Sequence, residues 1–187
     1  MSLEALSAAA AAGTFIVITA SAIAALVQLR HLRISNQLDG LLTFLQILQS
    51  AEMRELLNFV RHDLADRLRD PEFQNELRER PVNRAKHPEL YVCQFFDHIG
   101  SHVRSGLIEE AIFLQTTWYD VNLYWTLLTP VLEITRQNTP QDNRRKYAFE
   151  NFEYLAARAA LWMERHPNGN YPAGTPKMLA EALEANA

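Results

Sequence analysis

The sequence predicts an all-α protein: a single N-terminal transmembrane helix that continues into a cytoplasmic helical bundle. Three observations predict it. Residues 5–29 form an apolar run without one charged side chain. Beyond that run, apolar residues recur at steps of three and four as far as Trp162, the spacing of successive helix faces. No stretch alternates apolar and polar residues between hairpin turns, as half-buried strands do.

At about 1.5 Å per residue, a helix over residues 5–29 reaches ~37 Å, enough to cross a hydrocarbon core of ~30 Å with some tilt. Glu4 precedes the run, whereas Arg30, His31 and Arg33 follow it, and the first acid beyond is Asp39. The positive-inside tendency therefore places the N-terminus outside and the C-terminal domain in the cytoplasm, on the cell's inner membrane. Two other readings compete. Ala20-Ser21-Ala22 has the form of a signal-peptide cleavage site, but no Lys or Arg precedes the run and the run continues to Leu29. A buried helix of a soluble protein is the third reading, kept open by the alanines Ala8 to Ala12, which weaken the hydropathy. Small residues four apart (Ala9 and Gly13, Ala20 and Ala24, Ser21 and Ala25) permit close approach of two helices in lipid, and so self-association or docking on another membrane protein.

Beyond the anchor, roughly 155 residues remain, enough for one domain with a real core. The expected division is a transmembrane anchor with its basic juxtamembrane segment over 1–36, a helical bundle over 37–166, and a tail with one short helix over 167–187. Lys and Arg number 18 against 22 acids, a net charge of −4, which argues against nucleic acid as a partner. Cys93 is the only cysteine, so no intrachain disulfide forms and nothing points to an oxidising compartment.

Leu38, Leu41, Leu42, Leu45 and Leu48 make one apolar stripe, so the first helix is expected to run on past the anchor, with Gly40 a weak point and not a stop. Ser50 caps the next helix, Glu52 sits in its first turn, and Met53, Leu56, Leu57, Val60 and Leu64 face inward. Arg54, Arg61 and Asp66 read as solvated charge on its other face. Asp70-Pro71-Glu72 starts a short polar helix to about Arg80. Pro81 and Pro88 bracket a linker. A helix over 88–105 follows, with Val92, Phe95, Phe96, Ile99 and Val103 inward and Gly106 as its stop. Leu107, Ala111, Leu114, Trp118, Val121, Trp125, Leu128 and Leu132 form a four-three seam along a helix reaching Arg136, which Pro130 should bend or break. Thr139-Pro140 starts the last long helix, with Ala148, Phe152, Leu155, Ala159 and Trp162 inward. A short capped helix is expected from Thr175-Pro176.

The sequence carries few signatures of catalytic or metal-binding chemistry. A di-metal bundle needs Glu-x-x-His on two helices, and no Glu in the chain has His three residues later. His98 and His102 lie four apart on one helix and are the leading metal candidates, with His87 and Asp97 candidates only by proximity in sequence. No HExxH frame, Cys cluster, Gly-x-Ser-x-Gly elbow or phosphate-binding glycine loop is present. Cys93 reads as a buried structural thiol. Trp118, Tyr119, Tyr124 and Trp125 are candidates for a docking surface, set against the plainer reading of core with an amphipathic rim. Glu150 and Glu153 are one turn apart and are read as a structural salt-bridge network, buried or half-buried, with a basic partner from another helix.

The order of segments, QLRHLR, LQSAEMRELLNFV, RDPEFQNEL, FFDHIGSHVRSGLIEE, the Trp/Tyr-rich helix reaching LLTPVLE, and ENFEYLAARAA, resembles a prokaryotic family of membrane-anchored helical proteins, the domain of unknown function 4760 type. The resemblance extends to about Ala160. It implies single-span topology and an all-helical cytoplasmic domain, and it implies no activity. The functional expectation is a membrane-tethered helical interaction module, an accessory subunit, scaffold or sensor without catalytic activity or cofactor. Its expected partners are the lipid bilayer and other membrane or cytoplasmic proteins, with self-association permitted and not required. The alternative is a metal- or ligand-binding helical-bundle enzyme using His98, His102 and nearby acids.

Overall fold

A computed structural model describes residues 3–79, 81–137, 145–167 and 169. All its regular structure is helical: α1 (Leu3–Leu48), α2 (Ala51–His62), α3 (Leu64–Arg67), α4 (Pro71–Arg78), α5 (Glu89–Arg104), α6 (Glu110–Arg136), a 3₁₀ turn (Arg145–Tyr147) and α7 (Glu150–Arg165). The chain divides between Thr43 and Phe44 into two compact units.

The first unit is helix throughout its described length. Gly40 does not interrupt it, and the described side chains from Ala12 to Leu32 are all exposed. The Thr19 hydroxyl, inside this apolar span, donates to the Phe15 carbonyl at 2.8 Å, which satisfies the hydroxyl within the helix.

The second unit begins with the last turn of α1, where the Phe44 ring meets Phe95 edge-on at 6.2 Å. Its helices start where the local chemistry says they should. Ser50 Oγ accepts from the Met53 N–H at 3.1 Å, and Asp70 Oδ1 accepts from the Glu72 N–H at 2.9 Å ahead of Pro71. Met53, Leu57, Val60 and Leu64 are buried as the period requires, with Leu56 half-buried. The α5 stripe is buried throughout, and Gly106 follows α5 with φ +72°, a left-handed turn that glycine adopts without a Cβ penalty.

The long helix differs from the expected seam. Leu107 is 59% exposed and Ala111 is exposed, because the Leu107 and Ile108 N–H groups both bond the His102 carbonyl, closing α5 and delaying α6 to Glu110. Ile108 fills the core in place of Leu107, and the seam holds from Leu114 onward, with Val121, Leu128 and Leu132 buried and Trp118 and Trp125 half-buried. Pro130 does not break α6. It is exposed, and buried Leu128, Val131 and Leu132 hold the turns around it against the bundle.

The start expected at Thr139-Pro140 lies outside the described residues, as does the short helix from Thr175-Pro176. Within them α7 begins only at Glu150, and Ala148 sits half-buried in the preceding turn instead of on a helix face. Phe149 makes that turn with φ +56° and ψ +37°, a left-handed conformation costly for a residue with a Cβ. Phe152, Leu155 and Ala159 are buried as expected, and Trp162 is half-buried.

α7 packs most extensively on α5 and then on α6. Phe96 is the centre of this packing. It stacks on Phe152 at 5.0 Å and on Tyr124 at 5.6 Å, and Trp125 meets Phe152 edge-on at 5.2 Å. Four aromatic rings from three helices thus interlock, with the offset and edge geometries that aromatic quadrupoles favour.

Candidate functional site

The most unusual chemistry of the bundle lies where the Pro81–Pro88 linker meets α5. His87 and Glu89 are both fully buried, and Nδ1 of His87 lies 2.8 Å from Oε1 of Glu89. The Phe73 ring covers the imidazole at 4.5 Å. The other side of the ring is served poorly: Nε2 is 3.5 Å from Glu76 Oε2 and makes no hydrogen bond, and neither does Glu89 Oε2. Glu76 is instead paired with Lys86, whose ammonium holds the Glu76 carboxyl below its ordinary pKa. Burial pushes the Glu89 carboxyl the other way, above the ordinary carboxylate range, because the water its anion loses outweighs what the backbone and His87 give back. Both residues are sealed from solvent, so the pair can hold a proton but no substrate reaches it. Periodicity misses this pair because His87 belongs to a linker. The one local sign is His-Pro-Glu at a helix start.

A second polar assembly holds the start of α7. Phe149 supplies no side-chain cap. Asp97 of α5 does so in its place: its Oδ1 accepts from the Asn151 N–H at 2.9 Å and the Phe152 N–H at 3.2 Å. Arg136 at the end of α6 secures the left-handed turn, donating to the carbonyls of Ala148 at 2.8 Å and Phe149 at 3.2 Å and to Glu153 at 2.6 Å. Glu150 pairs with Arg104 of α5 at 3.2 Å. The two glutamates therefore have separate partners, each from another helix. Neither is buried: their side chains are 49% and 54% exposed, because both project from the rim where α7 begins.

The remaining sequence candidates are scattered. His98 is exposed, with Nε2 accepting from Gln94 at 3.4 Å, whereas His102 turns Nδ1 back to the His98 carbonyl at 2.6 Å. The two rings thus spend a nitrogen each on their own helix. Among the described residues no group of three or more His, Cys, Asp or Glu side chains is placed to hold a metal ion. Cys93 is fully buried, and loss of solvation pushes its thiol pKa far up, so the thiol is un-ionised and unreactive. The aromatic group divides. Tyr124 is buried in the core and is not available for docking, because the pitch of α6 turns it toward Phe96. Tyr119 is 61% exposed with Trp118 edge-on beside it at 5.9 Å. Trp125 is half core, half rim.

Among the described residues, two depressions on the bundle are large enough to take a small molecule. One of about 340 Å³ is lined by Pro81, Val82, Arg84, Leu90, Thr135, Ala148 and Phe149. The other, of about 260 Å³, lies between α2 and α6 and carries Arg54, Asn58 and Arg61 on one wall and Asp120 and Tyr124 on the other. Arg61 is thus not merely solvated charge: it faces Asp120 at 3.5 Å and lies 5.1 Å from the centre of the Tyr124 ring.

The fold defines a helical-bundle protein with one long apolar N-terminal helix. The chain belongs to the family described as Domain of unknown function (DUF4760), which matches residues 15–159 and so takes in most of the apolar span and the bundle as far as the middle of α7. No curated protein and no solved structure matches the chain.

Proposed function

We propose that the protein is a membrane-tethered helical interaction module. Ala12–Leu32 crosses the bilayer of the inner membrane, the N-terminus lies outside, and the bundle works in the cytoplasm by binding other proteins. One observation carries this reading: 21 consecutive positions, Ala12–Leu32, are long and apolar enough to span, and none of their side chains is buried. A core helix of a soluble protein would bury such a face. The same helix runs unbroken to Leu48, well past Ala20-Ser21-Ala22, which favours an anchor over a cleaved leader. The basic flank Arg30, His31 and Arg33 supplies the orientation. Exposed Tyr119 on α6, with half-buried Trp118 beside it, supplies the contact residues this reading favours, since surface aromatics contribute much of the energy of protein interfaces.

Paired reporter fusions after Ala187 test it. A cytoplasmically active fluorescent protein, an inactive alkaline phosphatase, and a full-length product that resists carbonate extraction are expected. An active phosphatase overturns the orientation. A product shortened by about twenty residues, the length of a typical leader, overturns the anchor.

A further inference from the structure

The depression between α2 and α6 has a composition that the interaction reading does not use. Arg54, Asn58 and Arg61 are spaced four and three apart, so α2 turns all three to one side. Asp120 and Tyr124, one turn apart on α6, face them, and Leu48 and Leu57 supply apolar wall. Asp120 engages Arg61. Arg54 is exposed and has no carboxylate within ion-pair distance among the described residues. Two guanidinium groups thus face one carboxylate, which leaves an excess of one positive charge. At the base lies a second anomaly. Tyr124 is fully buried and its hydroxyl meets only the Arg61 guanidinium, itself a donor, so the hydroxyl proton has no acceptor, although a buried polar group is ordinarily paired. The Arg61 guanidinium lies over its ring.

We propose that this depression binds a small monocarboxylate with an apolar body. Its carboxylate lies between Arg54 and Arg61, and its body rests on the apolar wall of Leu48 and Leu57. A guanidinium fork matches a planar carboxylate, and a single negative charge balances the excess. Asn58 adds a side-chain amide donor between the two arginines. A carboxylate seated there draws Arg61 off the aromatic ring and gives the Tyr124 hydroxyl an acceptor. Burial raises the pKa of that hydroxyl, so it stays protonated and remains a donor. The same carboxylate can arrive as a free small acid or as a fatty acid from a bilayer.

The test uses the full chain, labelled with ¹⁵N-arginine, in detergent. Benzoate is expected to shift arginine Nε–H resonances saturably, and benzamide, which lacks the charge, is not. Arg54→Gln and Arg61→Gln should each weaken benzoate about tenfold or more, the usual effect of losing a charge-assisted hydrogen bond. Circular dichroism and the melting midpoint check that each variant is folded, and Arg61→Lys serves where Arg61→Gln is not. In phosphatidylcholine nanodiscs, an oleate-dependent shift that Arg54→Gln abolishes would also support the site and assign a lipid source. The proposal is overturned by no saturable shift with either acid, by an equal response to benzamide, or by unchanged affinity in the folded variants.

Discussion

Gly100 of α5 lies so close to Asn151 of α7 that a Cβ at Gly100 would stand 2.0 Å from the Asn151 carbonyl oxygen. The obstacle is backbone at the first turn of α7, so it cannot rotate away as a side chain would. This contact sets how closely the two most extensively packed helices approach. In an open helix Gly→Ala gains about 1 kcal/mol of propensity. Here Gly100→Ala should instead destabilise by at least about 1–3 kcal/mol, the usual cost of overpacking. Gly40 is the control, because a Cβ added there would meet nothing within 4 Å, and Gly40→Ala should be neutral or mildly stabilising. Chemical denaturation of both variants checks the contrast, and a stable Gly100→Ala would mean the helices can separate freely.

Asp97 caps a helix that lies 54 residues further along the chain. Removing the cap in Asp97→Ala should cost about 1–2 kcal/mol, in the range of lost helix caps. Asp97→Asn keeps an oxygen acceptor and should cost less. Amide exchange supplies the site-specific readout: the Asn151 and Phe152 N–H groups should lose protection first. Unchanged protection there would show that the bonds contribute little.

The Glu89 carboxyl titrates above its ordinary range in the folded chain. The folded state therefore binds its proton more tightly than the unfolded chain does. The associated stability is complete below the ordinary glutamate pKa of about 4.3 and is lost as pH rises through the elevated folded value. Glu89→Gln removes this titration and keeps an oxygen for His87. Relative to wild type, the variant should gain stability steadily from acid toward neutral pH. The lowered pKa of Glu76 works in the opposite direction but is common to both proteins, so it cancels in the difference. A difference that stays flat with pH would sink the assignment.

The ion pairs on either side of α7 should rank by geometry. Arg158 holds Glu110 with two bonds of 2.8 and 2.6 Å, and both side chains are largely covered, at 31% and 25% exposed. Arg104 holds Glu150 by one contact of 3.2 Å at the open rim. Double-mutant cycles should give about 1 kcal/mol or more for the first and below about 0.5 for the second. Glu150→Gln alone should then scarcely change stability. The reverse ranking would show that exposure does not govern these pairs.

Trp125 and Tyr119 separate core from surface on one helix. Trp125→Ala removes an indole from the Phe152 edge, but the ring is half-exposed, so the loss should fall below the ~3–5 kcal/mol of a fully buried tryptophan. Tyr119→Ala should lie within about 0.5 kcal/mol of wild type. Melting midpoints of the two variants decide whether Tyr119 is free for a partner.

The sequence by itself determined the all-helical class, the apolar span and the family. Ser50, Asp70-Pro71 and Gly106 act on groups a few residues away, and apolar periodicity is a property of each segment alone, so these features are legible along the chain. Where the local signal misleads, the cause is a turn. Leu107 fits the spacing of α6, and only the closure of α5 on the His102 carbonyl takes it out of that helix. The tertiary structure decided which side chains meet. It set Asp97 on α7, placed Arg104 and Arg136 beside Glu150 and Glu153, and gave Gly100 its reason. It also buried His87 from within a linker, turned Tyr124 into the aromatic core instead of onto a docking surface, and brought Arg61 over the Tyr124 ring. These relationships join residues on different helices. They depend on the angle and distance at which whole helices pack, and no spacing within a single segment records either.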